Sequence, residues 1–131
     1  MGLFNNIFGD NQTNNKSTSG LPWKQLTDIQ QLTEIAEESA TTPAIIFKHS
    51  TRCSISRMAL KTFEREYAID AENATPYFLD LLEHRDISNE IASKFGVQHQ
   101  SPQLLLIKDG KAIYHSSHSD IDAGALKSKI A

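Results

Sequence analysis

The sequence predicts an α/β fold in which a mixed sheet of four or five strands carries helices on both faces. Short apolar runs suited to buried strands alternate along the chain with segments whose apolar residues recur at helical spacing. Strand–helix–strand units favour parallel pairing with right-handed crossovers. The Asp109-Gly110 pair lies between two strand-like runs and indicates a tight hairpin, which adds an antiparallel pair at one edge of the sheet.

The first half of this domain is expected to contribute a helix, a strand and a second helix. Thr27 and Gln30 have the spacing of a capping box, so the first helix should begin there. The apolar run 44–47 is typical of a buried strand. A second helix is expected from Cys53 onward, and a short extra strand near Trp23. The apolar face predicted for the second helix consists of Ile55, Met58, Ala59, Thr62 and Phe63.

The second half of the domain continues the alternation. Residues 77–82 are an apolar run typical of a strand, and Ser88 and Gly96 suit the start and the stop of a short helix. The two strands of the hairpin are expected at 103–108 and 111–115. Ser119 and Asp122 have the spacing of a capping box, so a last helix should begin there.

Length and composition fit one domain over residues 21–131, preceded by a flexible polar lead-in at 1–20. The net charge of the 131 residues is -3 and no basic stripe runs along the chain, which argues against a nucleic-acid partner. No apolar run approaches the roughly 20 residues that a membrane span needs. Because the N-terminus lacks the features of a secretory signal, the expected compartment is the cytoplasm.

The chain contains one cysteine, Cys53, which excludes an intramolecular disulfide and leaves too few thiols for a cysteine-based zinc site. Cys53 falls where a buried strand ends and a helix begins. The unpaired amides and the dipole of a helix N-terminus favour a thiolate, which is the nucleophile in disulfide exchange. The plainer interpretation is that Cys53 is a small buried apolar side chain.

The segment around Cys53 is basic although the whole chain is acidic. Between Pro43 and Glu64 it carries no carboxylate. Nearby cations favour a thiolate and would attract an anionic partner, so Lys48, His49 and Arg52 are candidate substrate-binding residues. The basic side chains of the segment are Lys48, His49, Arg52, Arg57 and Lys61.

Cys53 opens a C-x-x-S tetrapeptide whose last residue is Ser56. Ser56 cannot resolve a mixed disulfide as a second cysteine would, but its hydroxyl could donate a hydrogen bond to the Cys53 thiolate across one helical turn. The second thiol of any reaction must therefore come from outside the chain. Ser54, directly after the cysteine, is a candidate substrate-binding residue with a free backbone N–H.

Ser101 and Pro102 directly precede an apolar strand, where a proline cannot donate to the ladder. A cis Ser101–Pro102 bond would turn the chain and expose the backbone groups of Ser101 to an extended substrate beside the thiol. A trans proline that starts an edge strand is the plainer alternative.

The segments FKHSTRCSIS (47–56) and QHQSPQ (98–103) resemble the YtxJ-type monothiol bacilliredoxin family of the thioredoxin superfamily. The segment SSHS (116–119) resembles the C-terminal pattern of the same family, and the resemblance covers about residues 21–131. Some members carry proline after the cysteine, where this chain has Ser54. The resemblance implies a thioredoxin-like fold.

The resemblance also implies an activity, debacillithiolation, in which Cys53 attacks the sulfur of a protein–bacillithiol mixed disulfide and releases the reduced protein. Bacillithiol would serve as a thiol co-substrate, with no bound cofactor. Free bacillithiol or a partner reductase would regenerate Cys53. The malate carboxylates of bacillithiol suit the basic segment around the cysteine.

Three alternatives remain open from the sequence. One is a glutaredoxin-like protein that uses glutathione or another small thiol. Another is a non-catalytic binding or redox-sensing module. Iron–sulfur carriage is a third, although Ser54 and Ile55 depart from the Gly-Phe pair of monothiol glutaredoxins. His115 and His118 are spaced as a metal pair, but no further ligand joins them in sequence, so no metal site is expected.

Overall fold

The structure is a computed structural model that describes residues 21–130, so the predicted lead-in at 1–20 lies outside the described residues. These residues form five strands, four α-helices and one 3₁₀ turn at 118–120. The elements are β1 (Lys24–Gln25), α1 (Gln30–Glu38), β2 (Ala44–His49), α2 (Ser54–Glu66), β3 (Thr75–Asp80), α3 (Arg85–Phe95), β4 (Gln103–Lys108), β5 (Lys111–Ser117) and α4 (Ala123–Ile130).

The sheet has the order β1-β3-β2-β4-β5 and confirms the predicted mixed α/β fold, including the short strand near Trp23. β3 runs parallel to β1 and β2, whereas β4 runs antiparallel to β2 and β5. Lys48 near the end of β2 lies opposite Gln103 at the start of β4 and beside Leu79 of β3. The turns after β2 and β3 and the segment before β4 therefore meet at one edge of the sheet, which we call the carboxyl edge.

The central strands β2 and β4 are buried on both faces, as expected for apolar runs without polar alternation. On one face, Ile35 of α1 and Ile91 of α3 pack on the sheet. On the other face, Phe63 of α2 and Leu126 of α4 do so. None of the helices within residues 21–130 is long and apolar enough to cross a membrane.

The structure corrects the predicted start of α1, which begins at Gln30 rather than at Thr27. Thr27 and Gln30 do not form the expected capping box, because Gln31 Oε1 accepts hydrogen bonds from the N–H groups of both Thr27 and Asp28 at 2.8 and 2.9 Å. Asp28 Oδ1 in turn accepts from Gln30 N–H at 2.9 Å. The side chains of Asp28 and Gln31, each one residue beyond the predicted pair, thus bind the amides at this helix start.

The start of α3 was also predicted incorrectly. The helix begins at Arg85, so Ser88 lies inside it and is buried. The reason is local, since Ser88 N–H donates to the carbonyl of His84 at 3.1 Å and extends the helix toward β3. The predicted stop is confirmed: Gly96 has the left-handed backbone, with φ of 66°, that favours glycine after a helix.

The hairpin is confirmed and the cap of α4 is corrected. Asp109 and Gly110 connect β4 to β5 with φ values of 53° and 75°, as the favoured two-residue hairpin turn requires. Asp122 caps α4 itself, because its Oδ1 accepts from the N–H groups of Gly124 and Ala125 at 2.8 and 3.4 Å. Ser119 lies in the 3₁₀ turn before it.

Strand β3 begins at Thr75, two residues before the predicted start at 77, and therefore includes Pro76. Thr75 N–H donates toward β2, to the carbonyl of Pro43, whereas the Phe78 carbonyl accepts from Leu26 on the β1 side. Since backbone groups alternate along a parallel strand, the Pro76 nitrogen points to the β1 side. The two residues of β1 pair only with Tyr77 and Phe78, so no ladder bond is lost at Pro76.

The apolar face of α2 is only partly buried. Phe63 is 1% exposed, as predicted, and Ala59 packs against the same core. Ile55 and Met58 were expected to share this burial but are 56% and 69% exposed. They lie in the first turns of α2 and line a surface groove that faces residues 118–121.

Candidate active site

Cys53 lies at the carboxyl edge, where the turn after β2 enters α2. It is the N-cap residue, with an extended backbone (φ -105°, ψ 121°), and its carbonyl accepts the first helical hydrogen bond, from Arg57 N–H at 3.0 Å. The Cys53 side chain makes no capping hydrogen bond among residues 21–130, and Cys53 itself is partly exposed. The thiol therefore sits beside the amides of the first turn, where the helix dipole is positive.

Ser56 is fully buried and has a different partner from the one predicted. Its hydroxyl oxygen accepts a hydrogen bond from Ser50 N–H at 3.0 Å and lies 2.8 Å from Nδ1 of His49. In the described residues it makes no hydrogen bond to the Cys53 sulfur. The turn after β2 folds over the first turn of α2, and Ser56 supplies the acceptor that the Ser50 amide needs. Ser56 thus shapes the turn that carries the cysteine.

His49 lies beneath this turn rather than on the surface. It is buried, in contact with the rings of Phe47 and Phe78, and its Nδ1 is engaged by Ser56. Burial lowers the pKa of His49; Asp80 opposes this shift and Arg57 reinforces it. The imidazole is therefore neutral at neutral pH. Although buried, His49 lines the same cleft as Ser54, and its direct contact with a substrate stays a prediction.

Lys48 was predicted to bind substrate, but the structure buries it completely. Its Nζ donates to the carbonyl of Ser88 at 3.1 Å and lies 3.3 Å from Nδ1 of His99. Burial lowers the pKa of Lys48 to about 8. Because the side chain points beneath the carboxyl edge, it is not available to an anion at the surface.

Arg52 is exposed and lines a cleft of about 380 Å³ next to Cys53. Across this cleft lies Arg85, the first residue of α3, which is not among the site residues predicted from the sequence. No ion pair within 4.0 Å involves either guanidinium among residues 21–130. Both cations therefore remain available to a ligand. The other residues of this polar cleft are Thr51, Asp80, Leu82 and Glu83.

Ser54 is exposed on the other side of Cys53 and lines a second cleft with Arg57 and Lys61. The Arg57 guanidinium donates to the carbonyl of Thr51 at 3.1 Å, which ties this cation to the cysteine turn. The apolar groove of Ile55 and Met58 adjoins this side of the helix. Cys53 thus lies between a polar, charged surface and an apolar one.

Ser101 and Pro102 are placed at the same edge, as predicted, and the bond between them is cis. The Pro102 carbonyl accepts from His118 N–H at 3.0 Å, and His118 lines the apolar groove together with Ile55. The hydroxyl oxygen of Ser101 is buried and has no hydrogen-bond partner among residues 21–130.

The structure brings some predicted site residues together and separates others. The turn residues and the proline segment meet at the carboxyl edge, whereas Lys48, His49 and Ser56 support that edge from below. Arg85 was not predicted as a site residue, because its proximity to Arg52 depends on the pairing of β3 with β2. Within residues 21–130, no three His, Cys, Asp or Glu side chains form a group that could hold a metal ion.

Comparisons with solved structures confirm the thioredoxin fold. A protein described as having this fold, with a proposed oxidoreductase role, is 29% identical over 79% of this chain and 89% of its own length, with a TM-score of 0.67. Thioredoxin from Malassezia sympodialis is 17% identical, covers 90% of this chain and 96% of its own, and has a TM-score of 0.65. Mitochondrial thioredoxin 3 from Saccharomyces cerevisiae is 21% identical over 86% and 97%, with a TM-score of 0.61.

The family comparison is more specific than the fold. A family model described as monothiol bacilliredoxin BrxC matches residues 24–126, which include every element from β1 into α4. The match contains the partly exposed cysteine and the proline segment that the sheet places at its carboxyl edge. The chain therefore belongs to the monothiol bacilliredoxin family and has the thioredoxin fold.

Proposed function

We propose that this protein removes bacillithiol from protein mixed disulfides by thiol–disulfide exchange at Cys53, in the cytoplasm. The observation that carries the proposal is the placement of a partly exposed thiol at the N-cap position of α2, in a chain of the monothiol bacilliredoxin family. First-turn amides and the adjacent Arg52 interact favourably with a thiolate at this position.

The exchange requires two steps, in which sulfur–sulfur bonds are exchanged without net oxidation. In the first, the Cys53 thiolate attacks the bacillithiol sulfur of the mixed disulfide. The new bond joins Cys53 to bacillithiol, and the target cysteine leaves as a thiolate that takes a proton from water. In the second, the thiolate of another bacillithiol attacks the adduct, which yields bacillithiol disulfide and restores Cys53. A partner reductase would return that disulfide to the thiol.

The charge distribution around Cys53 supports a small thiol that bears carboxylates. Arg52 and Arg85 face the polar cleft on one side, and Arg57 and Lys61 line the cleft on the other. Guanidinium groups bind carboxylates in a bidentate geometry. Asp80 and Glu83 in the polar cleft would complement an amine on the same ligand. Bacillithiol carries both kinds of group.

The direct test is intact-mass analysis of the wild-type protein after incubation with a bacillithiolated target protein and, separately, with the glutathionylated form of the same target. We expect Cys53 to gain the mass of bacillithiol from the first target and no adduct from the second. Adducts forming equally with both would indicate a glutaredoxin-like protein with broader thiol use. An inert Cys53 would indicate a binding module and would contradict the proposal.

Removing the two arginines of the polar cleft should slow the reaction with bacillithiolated protein. We expect Arg52→Ala and Arg85→Ala each to lower the exchange rate about fivefold, equivalent to about 1 kcal/mol for an exposed charge contact. The effect should shrink at high salt. The measurement is the second-order rate of target release.

The matched control for this pair is Arg65→Ala, at the far end of α2, where the guanidinium lies 3.8 Å from Glu66. This variant should react like the wild type. A mixed disulfide of 2-mercaptoethanol, which carries no charge, should lose little rate in any of the three variants. Equal losses with charged and uncharged disulfides would show that the arginines do not bind the carboxylates.

A further inference from the structure

Two polar side chains lie buried next to each other beneath the carboxyl edge. Lys48 of β2 and Gln103 of β4 are opposite one another in the antiparallel pair, and their exposed fractions are 0% and 1%. Their side chains share the face of the sheet on which α3 packs, because Lys48 reaches Ser88 of that helix. Burying a charge and an amide in an apolar layer is costly unless both are well bonded, so their partners are informative.

Gln103 holds the segment 98–101 at two points of its backbone. Its Nε2 donates to the carbonyl of Gln98 at 2.9 Å. Its Oε1 accepts from the N–H of Gln100 at 3.4 Å. This segment belongs to neither a helix nor a strand, so side-chain bonds replace the ladder that would otherwise fix it.

Lys48 holds the same segment through its side chain. Its ammonium donates to Ser88 and contacts Nδ1 of His99 at 3.3 Å. An ammonium has donors only, so Nδ1 must accept and the ring proton of a neutral His99 lies on Nε2. Burial lowers the pKa of His99, and the charges of Lys48 and Arg85 lower it further, which keeps the ring neutral. Lys48 thereby connects α3 to His99, which lies between the two residues whose backbone Gln103 binds.

We propose that Lys48 and Gln103 are positioning residues, which together hold the segment 98–101 in the geometry that admits a target protein's mixed disulfide to Cys53. The proposal rests on the proposed exchange at this cysteine. The segment leads into Pro102, whose carbonyl is bonded to His118 of the apolar groove beside α2. A shift of the segment would move the surface on which the target approaches, whereas the start of α2 would be unaffected.

The test compares two rates in each of three variants. Lys48→Met and Gln103→Met remove the polar bonds at similar side-chain length. The control is Ser39→Ala, an equally buried residue at the opposite end of the sheet, whose hydroxyl donates to Ala36 and accepts from Gly110 N–H. One rate is alkylation of Cys53 by iodoacetamide, which needs no docking. The other is exchange with a peptide held as a thionitrobenzoate mixed disulfide.

We expect Lys48→Met and Gln103→Met to keep the alkylation rate within about twofold of the wild type. The rate of peptide exchange should fall at least about tenfold in both, which is the scale of a small misplacement at a reacting centre. Ser39→Ala should change neither rate. The ratio of the two rates distinguishes positioning from a general loss of stability, and Gln103→Met alone suffices should Lys48→Met fail to fold. If the folded Lys48→Met and Gln103→Met variants kept the wild-type ratio of peptide exchange to alkylation, the proposal would be overturned.

The peptide disulfide contains no bacillithiol, so this outcome is independent of the small thiol that the protein uses. Amide hydrogen exchange at Gln100 gives a second readout that requires no reaction at all. This amide should lose protection in Gln103→Met and keep it in Ser39→Ala. Protection that survives in Gln103→Met would contradict the positioning role even if the exchange activity proved to be absent.

Discussion

Replacing Cys53 by serine should lower the rate of exchange with a bacillithiolated protein by at least about 1000-fold, because the chain then contains no thiol. The fold should be unaffected, since serine is nearly isosteric and the cysteine is only partly buried. The measurement is target release under single-turnover conditions, with the unfolding midpoint recorded for the same samples.

A relocated thiol provides the matched control for this loss. In the Cys53→Ser background, Ser93→Cys places a thiol on the exposed surface of α3, away from any helix start and from the polar cleft. We expect this double variant to recover no more than about 1% of the wild-type rate, since it lacks the amides and cations that favour a thiolate. Full recovery would show that position contributes nothing and that any exposed thiol suffices.

Phe63→Ala should have the largest effect on stability among the residues that hold the site. Phe63 anchors α2 to the sheet, with ring centroids 5.5 Å from Phe47 and 6.0 Å from Trp23. Truncating such a buried ring costs about 3–5 kcal/mol, which is a large part of the stability of an ordinary domain. Urea unfolding followed by circular dichroism measures the change.

The control for Phe63→Ala lies on the same helix. Met58 is 69% exposed, so Met58→Ala should change the free energy of unfolding by no more than about 0.5 kcal/mol. Comparable losses in the two variants would mean that α2 is not held through its Phe63 face. Because Cys53 is the N-cap residue of this helix, Phe63→Ala should also make the thiol more accessible to alkylation before global unfolding.

The position of Cys53 in the fold could be predicted from the sequence. A continuous apolar run, a polar turn and a helical pattern place Cys53 at a helix start, and each of these signals is local. The hairpin at Asp109-Gly110 fixed the antiparallel partner strand in the same way. These predictions succeeded because short-range backbone preferences and long-range packing favour the same structure.

The depth of individual polar side chains could not be predicted in this way. Lys48 follows four buried residues in a strand covered on both faces, so no alternation of polar and apolar residues predicts which way its side chain points. Its partners, Ser88 and His99, are 40 and 51 residues away. Arg85 joins the site only because β3 lies beside β2. The burial of Lys48, its bonding partners and the position of Arg85 in the cleft all depend on which strands and helices pack together, which a single sequence does not reveal.

The placement of Pro76 has a consequence for the solubility of the protein. A sheet edge with unpaired N–H and C=O groups is a template on which a second chain can add a strand. Within residues 21–130, Pro76 lies beyond the two residues of β1 on the outer side of β3, where it is buried and its nitrogen has no hydrogen to offer. An incoming strand would lose a ladder bond at this point, so the proline discourages edge-to-edge aggregation on the side of the sheet farthest from β5.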